Sequence, residues 1–311
     1  MTIFHRNFMG AAAGALVALT LAGGAWAEEM TLTHPQGQTV LAAKPETVFV
    51  TDWAAFDNLS ALGVPVAGVP GVRMPGYLAD QAPADAVEIG SLQEPDFEAI
   101  AAAKPDLVIV AARSRTAYPT MSAIAPAFDA SIDDSALIPG VRSQLKTYGE
   151  VFGVQDRAAE LIANLDAKLA EARDLAKGKG TGLVIVTNAG KIGIYGPSSR
   201  IAWVYDELAV PSVFDNVEDG DHGGDAISFE YLAEHNPDWL FIVDRDAGVG
   251  TSGEGGAARA LLDNEIIHGT NFWSKDQMIF LDPAAAYTTM HGYQGLMLML
   301  DQVIAGYQKA G

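Results

Sequence analysis

Short apolar runs alternate along this chain with stretches in which apolar residues recur at helical spacing. Buried strands are predicted at 48–51, 66–69, 107–110, 183–187 and 279–281. Helices are predicted at 54–62, 118–124, 199–208 and 288–307, and a hairpin-like segment at 192–197. The alternation of strand and helix favours an α/β fold in which the sheets are mostly parallel and flanked by helices.

Two segments repeat each other at an offset of 132 positions, and each ends on an arginine. The first starts at Asp96, passes through a helix, a Pro-Asp turn and an apolar strand, and ends at Arg113; the second follows the same course from Ser228 to Arg245. Asp and Ser are helix N-cap residue types. In open parallel sheets, ligands bind beyond the carboxyl ends of the strands. We therefore expect two related lobes whose arginines face one anion from opposite sides of a cleft.

The longest periodic stretch, at 156–177, predicts one long helix between the lobes. Such a helix spans roughly 30 Å and bends less readily than a loop. We expect it to link the lobes stiffly and to limit their closure on ligand to roughly ten degrees or less. The predicted organisation is a leader at 1–27, a first lobe at 28–150, the linking helix within 151–180, and a second lobe with a closing helix at 181–311.

The amino terminus has the features of a cleaved secretory signal peptide. Arg6 precedes an apolar run that is too short to span a bilayer, and small residues stand before a cleavage site after Ala27. The chain has no cysteine, which excludes a lipid-modified cysteine, disulfides and thiolate metal sites. A net charge of −20 argues against nucleic acid as a partner. We expect a freely diffusing periplasmic monomer that does not span the membrane.

Arg200 is a third candidate for the anion site, since Pro197-Ser198-Ser199-Arg200 forms the predicted turn between a strand and the next helix. Arginine suits this role because its planar fork donates two parallel hydrogen bonds and keeps its charge when partly desolvated. The alternative for each arginine is a surface salt bridge with one of the many acidic residues. The matched positions of Arg113 and Arg245 favour the anion site.

Two further residues have chemistry that suits a metal. His222 lies in a loop of glycines and acidic residues, and Tyr287 follows Asp282-Pro283 and a run of alanines. A solvated histidine and a packed tyrosine are the alternatives. The acidic loop also makes a metallohydrolase conceivable, with Asp219, Asp221, His222 and Asp225 as ligands. The usual catalytic motifs of serine, cysteine and zinc hydrolases are absent from the sequence, so we expect a binding protein and no enzyme.

Glu98 and Glu230 occupy matched positions in the first turns of the two repeated helices. The helix dipole favours a carboxylate there by about 0.3–1 kcal/mol. The pairing on two lobes is equally consistent with docking points for a two-fold symmetric partner. Both interpretations stay open on the residues alone.

The combination of leader, repeated lobes, linking helix and arginines resembles the periplasmic iron-siderophore-binding proteins of ABC importers, whose fold is the class III periplasmic binding protein. The most specific segments are GSLQEP at 90–95, YGPSSR at 195–200, PDWLFIVDR at 237–245 and LDP at 281–283. They look like the branch that binds ferric catecholates. The alternatives on the same fold are a haem- or cobalamin-binding protein.

The resemblance implies a role for each candidate residue. Arg113, Arg200 and Arg245 would surround the anionic chelate, and His222 and Tyr287 would complete iron coordination when the chelator supplies only four oxygens. Trp53 and Tyr118 are predicted to join this ligand site. Glu98 and Glu230 would meet arginines of the inner-membrane permease. No intrinsic cofactor is implied, because the Fe(III)-siderophore is the transported ligand. The three alanines before Tyr287 depart from the family pattern, in which larger side chains are common, and leave the ligand size open.

Overall fold

The computed structural model describes residues 29–214, 217, 224–250 and 256–309. The strands up to residue 129 are β1 (Met30–His34), β2 (Gly37–Leu41), β3 (Val48–Val50), β4 (Gly68–Val69), β5 (Val87–Glu88), β6 (Leu107–Val110) and β7 (Ala127–Asp129). The helices up to residue 176 are α1 (Trp53–Ala61), α2 (Phe97–Ala103), α3 (Tyr118–Met121), α4 (Leu137–Phe152) and α5 (Gln155–Ala176). Short 3₁₀ helices lie at Gly76–Gln81, Ala112–Ala117 and Asp134–Ala136.

The later strands are β8 (Gly182–Asn188), β9 (Lys191–Tyr195), β10 (Asp225–Ile227), β11 (Trp239–Asp244) and β12 (Met278–Phe280). The later helices are α6 (Trp203–Asp206), α7 (Phe229–His235), α8 (Arg245–Gly248), α9 (Gly256–Leu262), α10 (Glu265–His268), α11 (Asn271–Ser274), α12 (Pro283–Tyr287) and α13 (Tyr293–Lys309). None of the helices in these described ranges is both long and apolar enough to cross a bilayer. The predicted leader at 1–27 lies outside the described residues.

The first sheet has the strand order β5-β4-β3-β6-β7, and all of its pairings are parallel. The central strands β3 and β6 are buried along their whole length, as expected for a sheet covered on both faces. Since the strands are parallel, their carboxyl ends meet at one edge. A separate antiparallel hairpin of β1 and β2 was not predicted.

The second sheet has the order β10-β9-β8-β11-β12 and is mixed. Strands β8, β11 and β12 are parallel, whereas β9 pairs antiparallel with β8 and β10 pairs antiparallel with β9. The predicted two-lobe α/β fold is therefore confirmed, with a fully parallel first sheet and a mixed second sheet.

The repeat seen in the sequence is also a repeat in structure. The side chains of Asp96 and Ser228 accept hydrogen bonds from backbone N–H groups at the starts of α2 and α7, as the N-cap prediction requires. Both helices end on a left-handed residue, Lys104 at φ 52° and Asn236 at φ 42°. The strands that follow also occupy equivalent places: β6 lies beside β3 in the first sheet, and β11 lies beside β8 in the second.

The carboxylate of each Pro-Asp turn has the same role in both lobes. Asp106 Oδ2 accepts a hydrogen bond from the backbone N of Thr47 at 2.8 Å, and Asp238 Oδ2 accepts one from the backbone N of Thr181 at 2.9 Å. Thr47 directly precedes β3, which pairs with β6, the strand after Asp106. Thr181 directly precedes β8, which pairs with β11, the strand after Asp238. The turn therefore fixes the register of the two central strands at their amino ends and leaves their carboxyl ends free for the site.

Along the chain, two helices lie between the last strand of the first sheet, β7, and the first strand of the second, β8. Only one was predicted, and the two pack against each other. The predicted long helix is confirmed as α5, but α4 was not predicted because Pro139, Gly140 and Gly149 interrupt its pattern. A Cβ on Gly149 would lie 2.8 Å from the Cβ of Ala158, so the glycine permits the close contact of α4 with α5. Here a residue that weakens a helix locally serves the packing of two helices.

Two other predicted helices are shorter in the structure. The helix predicted at 118–124 ends at Met121, and the one predicted at 199–208 is reduced to α6 with turns on either side. The hydroxyl of Tyr205 in α6 donates to the carbonyl of Tyr195 at 2.8 Å and accepts from the backbone N of Val184 at 2.9 Å. These bonds tie the short helix to the second sheet.

The closing helix α13 starts at Tyr293, five residues after the predicted start. Side chains of α1 accept hydrogen bonds from the free N–H groups at the start of α13. Asp57 Oδ1 accepts from Gln294 N at 2.7 Å, Asp57 Oδ2 accepts from Gly295 N at 2.9 Å, and Asn58 Oδ1 accepts from Tyr293 N at 2.8 Å. α13 also packs against α1 and α5. The last helix of the chain is therefore fastened to the first lobe.

Candidate functional site

The three predicted arginines each follow a strand of one of the two sheets. Arg113 lies in the 3₁₀ helix after β6, Arg200 in the turn after β9, and Arg245 is the first residue of α8, directly after β11. The repeat-matched pair thus leaves equivalent strands of the two sheets at their carboxyl ends. This is the edge at which open α/β sheets bind ligands.

The guanidinium groups of all three arginines converge on the ring of Tyr287. Their Cζ atoms lie 5.8 Å (Arg113), 5.5 Å (Arg200) and 5.4 Å (Arg245) from the ring centroid, within the range of a cation–π contact. Tyr287 itself is buried, in α12. We call Arg113, Arg200, Arg245 and Tyr287 the arginine cluster. Three like charges around one ring form a strongly electropositive site.

Hydrogen bonds hold two of these arginines in place. Those of Arg113 join the two lobes, and those of Arg245 lie within the second lobe. Arg113 donates from Nη2 to the carbonyl of Tyr287 at 3.2 Å and from Nη1 to that of Thr288 at 3.3 Å, so a first-lobe side chain binds second-lobe backbone. Arg245 donates from Nε to the Tyr287 hydroxyl at 3.0 Å and from Nη1 to Asn188 Oδ1 at 3.1 Å. The cluster is therefore oriented before any ligand arrives.

Two acidic residues, Asp134 and Asp246, lie close to arginines of the cluster. Asp134 Oδ2 lies 3.7 Å from Arg200 Nη2, and its Oδ1 lies 3.0 Å from His291 Nε2. Asp246 Oδ1 lies 3.6 Å from Arg245 Nη1. Asp134 and Asp246 are therefore ion-pair partners of Arg200 and Arg245, at distances that are long for such pairs.

Two buried titratable groups near the cluster, the phenol of Tyr195 and the carboxyl of Asp52, have raised pKa values. Burial raises the pKa of the Tyr195 phenol to about 12, although the charge of Arg200 lowers it. Burial also raises the pKa of Asp52, against the opposing effects of His291 and Arg113. Tyr195 therefore stays neutral at physiological pH and does not offset the arginine charge.

A cavity of about 950 Å³ lies between the lobes beside the cluster. Arg113 and Thr288 belong to its wall and connect it to the cluster. Its other walls come from the first lobe, with Trp53, Arg73, Tyr77 and Leu92, and from the second lobe, with Gly248 and Pro283. This volume is of the size that small-molecule sites occupy. The arrangement can take up a bulky anion, partly aromatic or apolar, and neutralise it from one side.

Of the three predicted arginines, only Arg113 is among the residues that line this cavity, whereas Arg200 and Arg245 belong to the cluster alone. Trp53 is in the cavity wall, while Tyr287 stands behind it in the cluster. Tyr118 is placed elsewhere: its hydroxyl lies 3.2 Å from His34 Nε2 and 3.5 Å from Thr39 Oγ1, beside the β1–β2 hairpin. The reason is that α3 packs against β7, and the β1–β2 hairpin, which was not predicted, packs against β7 as well. His222 lies outside the described residues.

The predicted metallohydrolase site can be compared only in part, since Asp219, Asp221 and His222 lie outside the described residues. The fourth residue, Asp225, begins β10. Among the residues described, no group of three or more His, Asp or Glu side chains is placed to hold a metal ion.

The predicted docking glutamates lie in the first turns of α2 and α7, and both are exposed. Glu230's own backbone N–H and the Ser228 side chain donate hydrogen bonds that lower the pKa of the Glu230 carboxyl. Both positions are consistent with the helix-dipole interpretation, and both leave the carboxylate available on the surface.

Sequence reasoning missed Arg73 at this site. It follows β4 at the same sheet edge as Arg113, and the strand at 66–69 had been predicted, so the rule of an arginine after a buried strand would have found it. Asp134 and His291 were also missed. They lie near Arg200 only because the 3₁₀ helix after β7 and the segment before α13 meet there, and no spacing in the sequence indicates that.

Residues 48–285 match the family model described as periplasmic binding protein. The petrobactin-binding protein YclQ of Bacillus subtilis is 32% identical over 287 residues, which cover 91% of this chain and 89% of YclQ. Its crystal structure superposes with a TM-score of 0.85 over 90% of this chain and 99% of that one. The chain therefore belongs to the periplasmic binding protein family.

Two further relatives agree with this. The ferric-anguibactin-binding protein FatB of Vibrio anguillarum is 31% identical, with 89% of this chain and 87% of FatB covered. The periplasmic catecholate-siderophore-binding protein VctP of Vibrio cholerae is 29% identical and has a TM-score of 0.82 over 91% of this chain and all of the other. Membership of this family confirms the prediction of a transport-associated binding protein that is not an enzyme.

Proposed function

We propose that this protein captures a ferric siderophore of catecholate type in the periplasm and delivers it to an inner-membrane ABC importer. The observation that carries the proposal is the convergence of Arg113, Arg200 and Arg245 on Tyr287, beside an interlobe cavity of about 950 Å³. A ferric catecholate carries several negative charges, and burying it is costly unless cations and hydrogen-bond donors compensate. The names of YclQ (petrobactin), FatB (ferric anguibactin) and VctP (catecholate siderophore) support a siderophore ligand, and that of VctP supports the catecholate type.

The Tyr287 hydroxyl has a second proposed role. It accepts a hydrogen bond from Arg245 Nε at 3.0 Å, which holds its oxygen in place within the arginine cluster. A phenolate oxygen is a ligand that would fill the coordination left open by a chelator with four oxygens. We propose that Tyr287, together with His222, serves bis-catecholates in this way and is not required by tris-catecholates.

Titration with a panel of ferric complexes tests the proposed function. We expect a ferric bis-catecholate and a ferric tris-catecholate to quench tryptophan fluorescence at low concentration, because Trp53 lies in the cavity wall. A ferric trihydroxamate, which is neutral or nearly so, should bind much more weakly because it gains little from three arginines. Equal affinity for the hydroxamate, or no binding of either catecholate, would contradict the proposal.

In the same titration, Tyr287→Phe provides the control for iron ligation. It should remove any phenolate-to-iron absorption band and weaken the bis-catecholate more than the tris-catecholate. Equal effects on the two complexes would argue that the ring supports the arginines and does not bind iron.

We also propose that Glu98 and Glu230 dock the two lobes onto the permease. Both carboxylates are exposed at matched positions, where they can pair with arginines on a two-fold partner. Replacing both with alanine should reduce siderophore-dependent ATPase activity of the reconstituted importer by roughly tenfold or more, because two charge-assisted contacts are lost. The affinity for the siderophore should not change.

The matched control for docking is Glu150→Ala with Glu265→Ala. These residues are also exposed, and Glu265 also lies in the first turn of a helix, α10. The control removes the same charge from other parts of the surface. An equal loss of ATPase stimulation in the control would mean that overall charge, and not the two lobe positions, governs docking.

A further inference from the structure

Arg73 lies in the cavity wall but is not part of the arginine cluster. It stands in the segment that follows β4, its side chain is exposed, and in the described part of the chain no carboxylate lies within ion-pair distance of it. By contrast, Arg142, Arg157 and Arg173 on the outer surface all pair with acids. Arg113, the other arginine of the cavity wall, has no ion pair among the described residues either, but it donates to the backbone carbonyls of Tyr287 and Thr288. Arg73 offers a full guanidinium fork to an incoming anion.

The backbone on both sides of Arg73 is fixed. Gly71 N donates to the carbonyl of Gly90 at 2.7 Å, which anchors the start of the segment. At its end, the hydroxyl of Tyr77 lies 2.8 Å from Asp57 Oδ2 and 2.7 Å from Thr289 Oγ1. Since both ends of the segment are held, the backbone that carries Arg73 is positioned at the cavity wall, and only the arginine side chain has to be ordered on binding.

The sheet order separates Arg73 from the cluster. β4 and β6 lie on either side of β3, so the strand ends that precede Arg73 and Arg113 are two strand spacings apart, roughly 10 Å. The residues between the two arginines along the cavity wall include Trp53, which follows β3. Arg73 is therefore placed to meet a different part of a bound ligand from the part that faces the cluster.

We propose that Arg73 is a specificity-determining residue that binds a carboxylate on the scaffold of the siderophore, away from the iron. The inference rests on the proposed function. The catecholate oxygens are occupied by iron and by the cluster, whereas a scaffold carboxylate has two free oxygens that match the planar fork of arginine. The neighbouring cavity residues Met74 and Leu92 provide apolar contact for the carbon linker. The protein then selects chelators that carry an anionic group in addition to their iron-binding oxygens.

The test uses two synthetic bis-catecholates that share one linker and differ only at its central substituent. One carries a free carboxylic acid, and the other carries the corresponding primary amide. With the ferric complexes at neutral pH, Arg73→Ala should weaken binding of the acid about tenfold and leave binding of the amide nearly unchanged. Arg73→Lys should fall between the native protein and Arg73→Ala, because it keeps the charge and loses the fork.

Arg115→Ala is the matched control. Arg115 is equally an exposed arginine, it lies in the same 3₁₀ helix as Arg113, and it is not among the described residues of the cavity wall. Its replacement removes the same charge and should leave both affinities unchanged.

Two results would overturn the inference: an equal loss of both complexes in Arg73→Ala, which indicates a general charge effect, or no loss of the acid. Failure of the proposed function has a different signature, because the native protein would then bind neither complex.

Discussion

Replacing Arg113, Arg200 and Arg245 together with alanine is expected to weaken the binding of a ferric catecholate roughly a thousandfold or more. Hydrogen bonds to charged groups contribute about 1.5–3 kcal/mol each, and one such bond per arginine already sums to this loss. The three groups surround one ring and are proposed to bind one ligand, so single replacements should not add up to the effect of the triple change. Quenching of tryptophan fluorescence measures the affinity.

The matched control for the triple change is Arg142→Ala with Arg157→Ala and Arg173→Ala. These arginines lie on α4 and α5 and pair with acids on the outer surface, with Asp166, Glu160 and Glu207 respectively. The control lowers the net charge by the same amount but leaves the cluster intact, and we expect its affinity to stay within a few-fold of the native value. A loss of similar size in both variants would refute a role for the cluster beyond overall charge. Thermal unfolding of both ligand-free variants separates loss of the site from loss of the fold.

The repeat made half of the cluster predictable from the sequence. Arg113 and Arg245 follow equivalent strands, and sheet topology alone places the ends of such strands at a ligand-binding edge. Arg200 was found by similar reasoning from a turn between a strand and a helix. That all three guanidinium groups meet at Tyr287 was not predictable from the residues, because it depends on how α12 packs against α8, β11 and α13.

The surroundings of Tyr118 also depend on contacts that local pattern does not indicate. Tyr118 follows Arg113 by five positions in the sequence. In the structure, the 3₁₀ helix at Ala112–Ala117 reverses the chain between them, and Tyr118 packs edge to face with His34 at a centroid distance of 4.9 Å. The hairpin that supplies His34 lies far from Tyr118 along the chain, so its contact is not indicated by local pattern.

The start of α13 shows what a local capping rule cannot detect. Gly292 precedes the helix and offers no side chain to its free N–H groups, so the sequence contains no start signal at this point. Asp57 and Asn58 provide the cap from a distant helix. A Cβ on Gly292 would lie 2.5 Å from Asp57 Oδ2, so this glycine is also what lets the distant cap approach.

Asp57→Ala is accordingly expected to destabilise the protein by roughly 3 kcal/mol or more. Asp57 is fully buried and accepts hydrogen bonds from Gln294 N, Gly295 N and the Tyr77 hydroxyl, so its removal takes the acceptor from two backbone N–H groups at the start of α13 and leaves the Tyr77 hydroxyl only Thr289 Oγ1 as a partner. The bonds join α1 to α13, hence the loss affects the contact between the first lobe and the closing helix. For a chain of this size, the midpoint of thermal unfolding should fall by roughly 6 °C or more.

Asp301→Ala is the matched control for this loss. Asp301 lies on the same helix, is exposed, and forms an ion pair with Lys168, an interaction that contributes about 0–1 kcal/mol at a surface. Its replacement should shift the midpoint by no more than about 2 °C. Equal shifts in the two variants would show that the cap from α1 contributes no more than an ordinary surface pair.

The pH dependence of stability gives an independent measure of the same carboxyl group. Burial raises the pKa of Asp57 to about 6, although hydrogen bonds from Gln294, Tyr77 and Gly295 lower it. In the unfolded chain this group titrates near 4, so between about pH 4 and 6 the folded state binds more protons, and stability falls as the pH rises through that window. Asp57→Asn lacks this titration. The difference in unfolding free energy between the native chain and Asp57→Asn should therefore favour the native chain more at pH 4 than at pH 7, by on the order of 3 kcal/mol. A difference that stays constant over this range would mean that the carboxylate is charged throughout, held by the helix N-terminus against the cost of its burial.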